Sequence, residues 1–482
     1  MDAKQVKSRQ RVINHGEVYT SRRVVEAMLD MVKPETERID SRFLEPACGH
    51  GNFLTAILER KLDVVEKKYG RRRVEFERYC TSAAGSVYGI DLLEDNVIEA
   101  RERLLGILTG RYSRLFNAAV KCKFIESVKF VLERNIIAGD ALELTRNPAV
   151  FSEWSPITGE TLKFDVIIGN PPYQLNDGGG TGSSARPIYH KFIEQAKKMN
   201  PRFMAMIIPA RWYSGGKGLD EFRCSMLNDS RIRRLVDFID SRDCFTGVDI
   251  AGGVCYFLWN RDYPGKCIVV SVRKIGKDIS ERALNEFETF IRDNRALEIV
   301  KRVTSQSKSF MNSAVSSRMP FGITSNEPLR KTGDFKLISS AGIGKISKNK
   351  VSAGSDLIPK WKVMLSKTSH DHAGQPDKQG MRRVFSRIEV VGPNVVCTES
   401  YLVVGGYDTE IEAQNMCNFL KTQFCRFLVS IQVLTQNITK RKFSFVPSLD
   451  MKISWSDKKL YDMFNLSGDD IAYIDSIIRP IV

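Results

Sequence analysis

Four consecutive residues, Asn170, Pro171, Pro172 and Tyr173, follow the apolar run Phe164–Gly169, which has the composition of a buried strand. Two prolines at the end of a strand remove backbone donors and leave carbonyl oxygens free to face a ligand. The Asn170 side-chain oxygen and the Pro171 carbonyl could accept both N–H bonds of an adenine amino group, while Tyr173 could stack on the base. The alternative for the tetrapeptide alone is a turn with a buried tyrosine.

The chemistry that these residue types allow is group transfer to a poor nucleophile. The lone pair of an adenine amino group is delocalised into the ring, and accepting both N–H bonds favours the pyramidal form that can attack. A sulfonium methyl donor has an activated leaving group, so no acid, base or metal is required. Positioning can then supply up to ~7–11 kcal/mol. The tetrad therefore predicts methyl transfer, and we expect no metal site.

The segment Phe43–Phe53 (FLEPACGHGNF) has the pattern of a strand that turns tightly into a helix. Gly49 and Gly51 let the backbone approach a ligand at this first strand-to-helix turn. Glu45 could pair with an ammonium group at the end of the strand. The alternative for a lone Gly-x-Gly is a tight turn that binds nothing.

Two aspartates stand where later strands end. Asp91 follows the run SVYGI, and Asp140 follows NIIAG. Asp91 could hold both hydroxyls of a ribose, and Asp140 could accept from the amine of a cofactor's adenine. An aspartate at such a position, taken alone, is more often a helix cap. Ligands of such sheets sit at the carboxyl ends of the strands, so two successive aspartates there indicate a cofactor cleft.

The elements that would position these residues alternate short apolar runs with helical patterns, which predicts an α/β fold with a doubly wound, mostly parallel sheet. GGVCYFLWNR is expected to be a late strand, and residues 280–306 an amphipathic connecting helix. From about Met319 glycine, serine and lysine become frequent, which indicates a second domain of mixed α+β type. We expect domains at 1–275 and 319–482, joined by a connecting helix and linker at 276–318.

Composition limits the classes of protein. A chain of 482 residues suits two domains, and a formal charge of +16 favours an anionic partner, most commonly nucleic acid. Ten scattered cysteines without a CxxC pair argue for reduced thiols in a cytoplasmic protein. We find no signal peptide and no apolar stretch of the ~18 residues that a membrane helix needs.

In motif order, the first half resembles the gamma-class N6-adenine DNA methyltransferases of bacterial restriction–modification systems. The order runs from Gly16–Ser21 (GEVYTS) through the glycine turn, Asp91 and Asp140 to the Asn170 tetrad. The segments YHKFIEQA and IIPARW resemble the motifs that follow. The resemblance implies a Rossmann-like fold that binds S-adenosyl-L-methionine, and it assigns cofactor binding to Tyr19, Thr20, Glu45, Ala47, Cys48, Gly49, Gly51, Asp91 and Asp140.

The same resemblance implies a double-stranded DNA substrate and a base that is flipped out of the duplex. Asp243–Gly253 resembles the late motif whose aromatic residue packs on that base, so Phe245 is expected to stack on it together with Tyr173. The family's target-recognition domain is C-terminal, which corresponds to residues 319–482. A separately encoded restriction endonuclease is a possible partner, and we expect a monomer or a weak dimer.

Several alternatives stay open. Related tetrads occur in methyltransferases that act on rRNA or on a protein glutamine, and a non-catalytic DNA-binding specificity subunit could keep the same fold. Lys440, Arg441 and Lys442 are expected to contact DNA phosphates, with a plain solvated face as the alternative. Gln174–Arg186 is either a flexible linker or a loop that becomes ordered when DNA binds.

Overall fold

The computed structural model describes residues 19–117, 119–143, 162–175, 186–216, 218–245, 250–273, 276–371, 376–433 and 436–481. The chain divides into two compact units, Met1–Phe290 and Ile291–Val482. This division falls inside the segment 276–318, for which the sequence predicts a connecting helix and linker. No helix within the described ranges has the length and apolar character needed to cross a membrane.

The first unit contains a nine-stranded sheet and a two-stranded hairpin. In chain order the strands are β1 (Phe43–Glu45), β2 (Val87–Asp91), β3 (Ile136–Ala138), β4 (Val166–Gly169), β5 (Gln174–Leu175), β6 (Arg186–Pro187), β7 (Phe203–Pro209), β8 (Ile232–Phe238), β9 (Val254–Asn260), β10 (Cys267–Val272) and β11 (Lys277–Arg282). The helices of this unit are α1 (Arg22–Asp30), α2 (Lys33–Thr36), α3 (Asn52–Tyr69), α4 (Arg73–Gly85), α5 (Glu94–Phe116), α6 (Cys122–Asn135), α7 (Tyr189–Lys198) and α8 (Asp220–Leu227).

The order of strands in the large sheet is β11-β10-β8-β9-β7-β4-β1-β2-β3. Strand β1 pairs in parallel with β2 on one side and with β4 on the other, and the chain winds outward in both directions from this point. The predicted α/β fold with a doubly wound, mostly parallel sheet is therefore confirmed. Ligands of such sheets bind beyond the carboxyl ends of the strands where the winding reverses, which here means β1 and β4.

Helix α3 packs a buried face on this sheet, and one member of that face is a lysine. Lys61 is fully buried, and its Nζ donates to the carbonyl oxygens of Arg38, Ile39 and Ser41. Burial lowers the pKa of Lys61 to about 7. The lysine thus donates to three backbone carbonyls, of which that of Ile39 also accepts from the Ser86 hydroxyl.

The far side of the sheet differs in one place from the sequence prediction. The predicted late strand is confirmed as β9, which runs antiparallel between β7 and β8. The predicted helix over 280–306 is wrong in its first part, because Lys277–Arg282 pairs with β10 as an edge strand. The helix α9 (Asn294–Gln306) begins only after Asp293, whose side chain accepts from the backbone N–H groups of Arg295 and Ala296.

The second unit combines two small sheets with helices, as expected for a mixed α+β domain. Its strands are β12 (Phe335–Ser339), β13 (Gly342–Ile346), β14 (Trp361–Ser366), β15 (Ile388–Val391), β16 (Val395–Cys397) and β17 (Tyr401–Tyr407), in the orders β13-β12-β16 and β15-β14-β17. The helices that follow are α10 (Glu410–Lys421), α11 (Gln423–Gln432), α12 (Asp457–Met463) and α13 (Gly468–Ile477). The helical pattern of 410–432 breaks at Thr422, whose hydroxyl caps α11 through the Cys425 N–H.

Candidate active site

A cleft opens at the carboxyl ends of β1, β2 and β4 in the first unit. It encloses about 780 Å³, its open mouth included. The structure brings to it every predicted cofactor residue except Gly51, together with two members of the tetrad: Tyr19, Thr20, Glu45, Ala47, Cys48, Gly49, Asp91, Asp140, Asn170 and Pro172. The predicted N-terminal residues Gly16, Glu17 and Val18 lie outside the described residues.

The glycine turn after β1 needs both of its glycines, for different reasons. Gly49 and Gly51 have positive φ angles of 50° and 86°, where other residues are strained. A Cβ on Gly49 would lie 3.3 Å from the Tyr19 ring, at the cleft wall. A Cβ on Gly51 would lie 3.1 Å from the Cβ of Ala100 on α5. Gly51 therefore serves helix packing, while Gly49 keeps the cleft open.

Asp91 holds this turn in place. One of its oxygens accepts from the Gly49 N–H at 2.8 Å, and the other from the Leu93 N–H at 3.0 Å and the Asn96 amide at 3.1 Å. A carboxylate has about four acceptor positions, so at most about one is left for a ribose hydroxyl. Asp140 is exposed on the cleft wall and accepts from the Leu142 N–H at 2.8 Å. Both aspartates stabilise local turns and face the cleft.

Glu45 is the buried acid of the site. Its side chain is 3% exposed, and its Oε2 has no hydrogen-bond partner within the described ranges. Burial, and then the negative charge of Asp91, raises the pKa of Glu45 well above its ordinary value. A Cβ on Gly169 would lie 3.2 Å from the Glu45 Cγ, so the glycine that ends β4 provides room for this side chain. The cleft thus contains a desolvated carboxyl with one oxygen that no described residue engages in a hydrogen bond.

The tetrad follows β4 directly, as predicted. Asn170 and Pro172 line the cleft, while Pro171 is buried beneath them. The Tyr173 carbonyl accepts from the Ile188 N–H at 3.2 Å, which ties the tetrad to the start of α7. Burial of the hydroxyl raises the pKa of Tyr173 well above its ordinary value, so the phenol stays protonated. Residues 176–185 of the predicted loop lie outside the described residues.

The predicted role of Phe245 is not supported by its position. Its side chain is fully buried and meets Tyr173 edge-on, with ring centroids 6.5 Å apart. A short 3-10 turn at Ser241–Asp243, closed by a bond from the Phe245 N–H to the Ser241 carbonyl, directs the ring into the core. Phe245 therefore supports Tyr173 from behind and offers no free face to a base. Residues 246–249 of the same predicted motif lie outside the described residues.

The sequence did not predict several other residues at the site. The His50 ring packs edge-on against Tyr19, with centroids 3.9 Å apart. Arg103 of α5 donates to the His50 carbonyl and to the side chain of Asn52, so it fixes the glycine turn from a distant helix. Phe192 of α7 completes the wall beside the tetrad. His50, Asn52 and Phe192 could have been suspected from their places in the motifs, whereas Arg103 lies outside them.

The predicted phosphate contacts belong to the second unit, and one of them is wrong. Lys442 is buried, and its Nζ donates to the Gln432 carbonyl. A lysine used in this way cannot reach a DNA phosphate. Lys440 is exposed at the start of the same short 3-10 turn, and Arg441 is half-buried. The DNA-contacting role therefore stays a prediction for Lys440 and Arg441 alone.

A comparison with known protein families gives a match within the first unit. Residues 85–245 match the sequence model of the Eco57I restriction-modification methylase family. An adenine-specific methylase of Mycoplasma pneumoniae is 34% identical over 174 residues, 35% of this chain and 41% of that protein. The type II methyltransferase M.BstVI of Geobacillus stearothermophilus is 28% identical over 162 residues, 33% of this chain and 24% of that protein. The matches thus span less than half of either relative.

A solved structure extends the likeness in fold to most of the chain. The DrdV–DNA complex has a TM-score of 0.50 at 12% identity, and the match covers 92% of this chain and 56% of that one. At this identity the likeness concerns the fold alone. The family match supports the resemblance that the motifs predicted, because residues 85–245 are similar to the Eco57I restriction-modification methylases.

Proposed function

We propose that the chain is a site-specific methyltransferase that transfers a methyl group from S-adenosyl-L-methionine to N6 of adenine in duplex DNA. One observation carries the proposal. A single cleft at the β1/β4 reversal joins Asn170 and Pro172 with the desolvated carboxyl of Glu45. The family of residues 85–245 and the names of the two curated relatives support it.

The residues of the cleft fit the cofactor. Glu45 Oε2 is a buried acceptor without a hydrogen-bond partner among the described residues, which suits the ammonium of a methionine moiety. Asp91 lines the cleft where a ribose hydroxyl would lie, and exposed Asp140 can accept from an adenine amine. When bound, S-adenosyl-L-methionine supplies a methyl group on a positively charged sulfur. The remaining chemistry falls to the protein's own groups.

The tetrad then acts by holding the adenine. The Asn170 Oδ1 and the Pro171 carbonyl accept the two N–H bonds of the amino group, so its lone pair is free to attack. Once methylated, N6 would carry a positive charge. One of its protons, hydrogen-bonded to these acceptors, would then pass to water. Flipping the base costs a few kcal/mol, which stacking on Tyr173 and these hydrogen bonds offset.

The further expectations rest on the same proposal. Residues 319–482 would choose the DNA site through contacts to base edges. An enzyme of this kind would work in the cytoplasm of a bacterium, as a monomer or weak dimer. A separately encoded restriction endonuclease would be its functional partner.

The test is single-turnover methylation with labelled S-adenosyl-L-methionine and an adenine-containing duplex, comparing wild type, Asn170→Ala and Asn312→Ala. Asn312 is exposed and belongs to the second unit, so its variant is the matched control. We expect Asn170→Ala to lose about 10²–10³-fold in rate, by analogy with loss of one preorganised hydrogen-bonding group. The affinity of Asn170→Ala for the cofactor, measured by calorimetry, should stay near that of wild type.

Other outcomes would identify the alternatives. Label in N6-methyladenine of the duplex supports the proposal. Label that enters rRNA or a protein glutamine, and not the duplex, would contradict it in favour of a related methyltransferase. A chain without any calorimetric response to S-adenosyl-L-methionine would instead be a non-catalytic specificity subunit.

A further inference from the structure

The second unit carries a cleft of its own, here called the C-terminal cleft. It encloses about 790 Å³, its open mouth included. Its lining combines polar residues with the buried side chains of Leu402 and Ile438. The polar residues include three cations and an amide: Arg318, Lys367, Lys440 and Asn437.

The charge of this cleft favours an anion. Arg318 is paired with Glu399 at 2.6 Å, and its side chain is nevertheless 70% exposed. Lys440 is exposed and has no ion-pair partner among the described residues. Lys367 is half-buried, and its charge acts on the Glu399 carboxylate. Three cations against one carboxylate leave an excess positive charge, which a phosphate would neutralise.

The backbone of the cleft is fixed before any ligand arrives. The Lys367 N–H donates to the Ser400 carbonyl at 2.9 Å, and the Lys367 carbonyl accepts from the Ile438 N–H at 2.7 Å. The Ser316 N–H, beside Ser317, donates to the Val403 carbonyl at 2.8 Å. The backbone segments at Lys367, Ile438 and Ser316 are therefore held in place by hydrogen bonds. Binding of a ligand would cost little ordering entropy.

Beside the cleft, the chain stores backbone strain. Val384 is 1% exposed and has a φ of +71°, a conformation that β-branched residues avoid. The Asp371 carboxylate accepts from the Val384 N–H at 2.7 Å, and the Ser369 hydroxyl donates to the Val384 carbonyl at 2.9 Å. Such strain, about 1–3 kcal/mol, persists where the surroundings over-determine it and is concentrated at ligand sites. The Ser369 N–H also donates to the Gln436 carbonyl, next to Asn437.

We propose that the C-terminal cleft binds one nucleotide unit of the DNA substrate, with its phosphate at Lys367 and Lys440 and a base edge at Asn437. The inference rests on the proposed function, because it takes the anion to be the substrate DNA. An asparagine amide has a donor and an acceptor side by side, which match paired groups on a base edge.

The first arm of the test is duplex binding by the full chain with S-adenosyl-L-methionine across a salt series. Lys367→Gln and Lys440→Gln should each flatten the plot of log affinity against log salt by about 0.9, because each removes one phosphate contact. Lys350→Gln is the matched control, since Lys350 is exposed in the same unit and does not line the cleft. Its slope should equal that of wild type.

The second arm concerns sequence choice. The duplex carries the sequence found methylated in a host that expresses the chain, and each base pair is substituted in turn. Asn437→Ala should reduce discrimination at one base pair by about 5- to 150-fold while the salt slope stays the same. The two lysine variants should instead weaken binding to all duplexes alike. Calorimetric binding of the cofactor by each variant serves as the check on folding.

Different results would contradict the proposal for the C-terminal cleft and the proposed function. If wild type methylates the duplex but both lysine variants keep the slope of Lys350→Gln, the cleft does not bind DNA and the proposed function stands. Unchanged discrimination in Asn437→Ala would overturn the base-reading role. A wild-type chain that neither binds nor methylates any duplex would overturn both proposals.

Discussion

Replacing Glu45 with glutamine removes a charge and almost no volume from the floor of the catalytic cleft. The side chain is 3% exposed, its Oε2 has no partner among the described residues, and it lies near the charge of Asp91. Our proposal assigns this carboxylate to the ammonium of S-adenosyl-L-methionine. The variant should therefore weaken cofactor binding and, without cofactor, strengthen the fold. Replacing a merely structural glutamate would not lower cofactor affinity while raising the stability of the fold.

The size of the binding effect follows from the loss of one charged hydrogen bond. Such a bond contributes about 1.5–3 kcal/mol, which corresponds to a loss of about 10- to 150-fold in affinity for Glu45→Gln. Binding should also release a proton, because the pKa of Glu45 is raised by burial and by Asp91 before the ammonium arrives. Affinity for the cofactor should therefore rise with pH up to the pKa of Glu45 in the free protein.

The stability effect has the opposite sign. As pH rises, the unfolded chain ionises at the ordinary glutamate pKa, while the folded protein, where the pKa of Glu45 is raised by burial and by Asp91, retains its proton longer. Wild type therefore loses stability over this interval, about 1.4 kcal/mol for each unit by which the two pKa values differ. Glu45→Gln escapes this loss, so its free energy of unfolding should exceed that of wild type at pH 8 and approach it near pH 4.

Titration calorimetry in two buffers of different ionisation enthalpy measures the affinity and the released proton, and urea unfolding measures stability. Glu126→Gln is the matched control, because Glu126 is exposed on α6 and does not line the cleft. Our reasoning about Glu45 would be refuted by affinity within about threefold of wild type, or by a parallel fall in affinity and stability.

Three further variants test neighbouring parts of the argument. Gly169→Ala places a Cβ 3.2 Å from the Glu45 Cγ and should lower the unfolding free energy by ~1–3 kcal/mol in urea; an unchanged value would mean that the site has spare room. Asp91→Asn sets an amide donor against a backbone N–H such as that of Gly49, so cofactor affinity and melting temperature should fall together. Because burial lowers the pKa of Lys61 to about 7, the unfolded chain holds a proton that the folded chain lacks between pH 7 and about 10. Wild-type stability should rise over that interval relative to Lys61→Met, and parallel pH profiles would refute this.

Much of the site could be predicted because its signals are local. Strands such as Val166–Gly169 are short apolar runs, and each ends in residues that favour turns. Successive parallel strands bring their carboxyl ends to one edge of the sheet. Asn170, Asp91 and Asp140 therefore had to converge once the fold class was right. The site could therefore be predicted without knowing any distance between its residues.

The errors concern residues whose environment is set by contacts that sequence periodicity does not encode. Lys442 has the sequence context of a solvated basic run, but its Nζ donates to the Gln432 carbonyl ten positions earlier. Phe245 stands in a motif that suggests an accessible ring, and the turn at Ser241–Asp243 buries it. The pattern of 280–306 predicts one helix, although Lys277–Arg282 pairs with β10. These partners are close along the chain, but the periodicity of apolar residues carries no information about them.

The two halves of the proposed reaction meet at a single glycine. Gly169 ends β4, precedes Asn170 and has no Cβ, which leaves room for Glu45 beneath it. The acid proposed to hold the cofactor and the amide proposed to hold the base are therefore attached to neighbouring strands in van der Waals contact. Interiors are close-packed, so we expect a shift of Glu45 on cofactor binding to move the backbone that carries Asn170. Under the proposed function, occupation of the cofactor subsite would then adjust the position of the amide that holds the base.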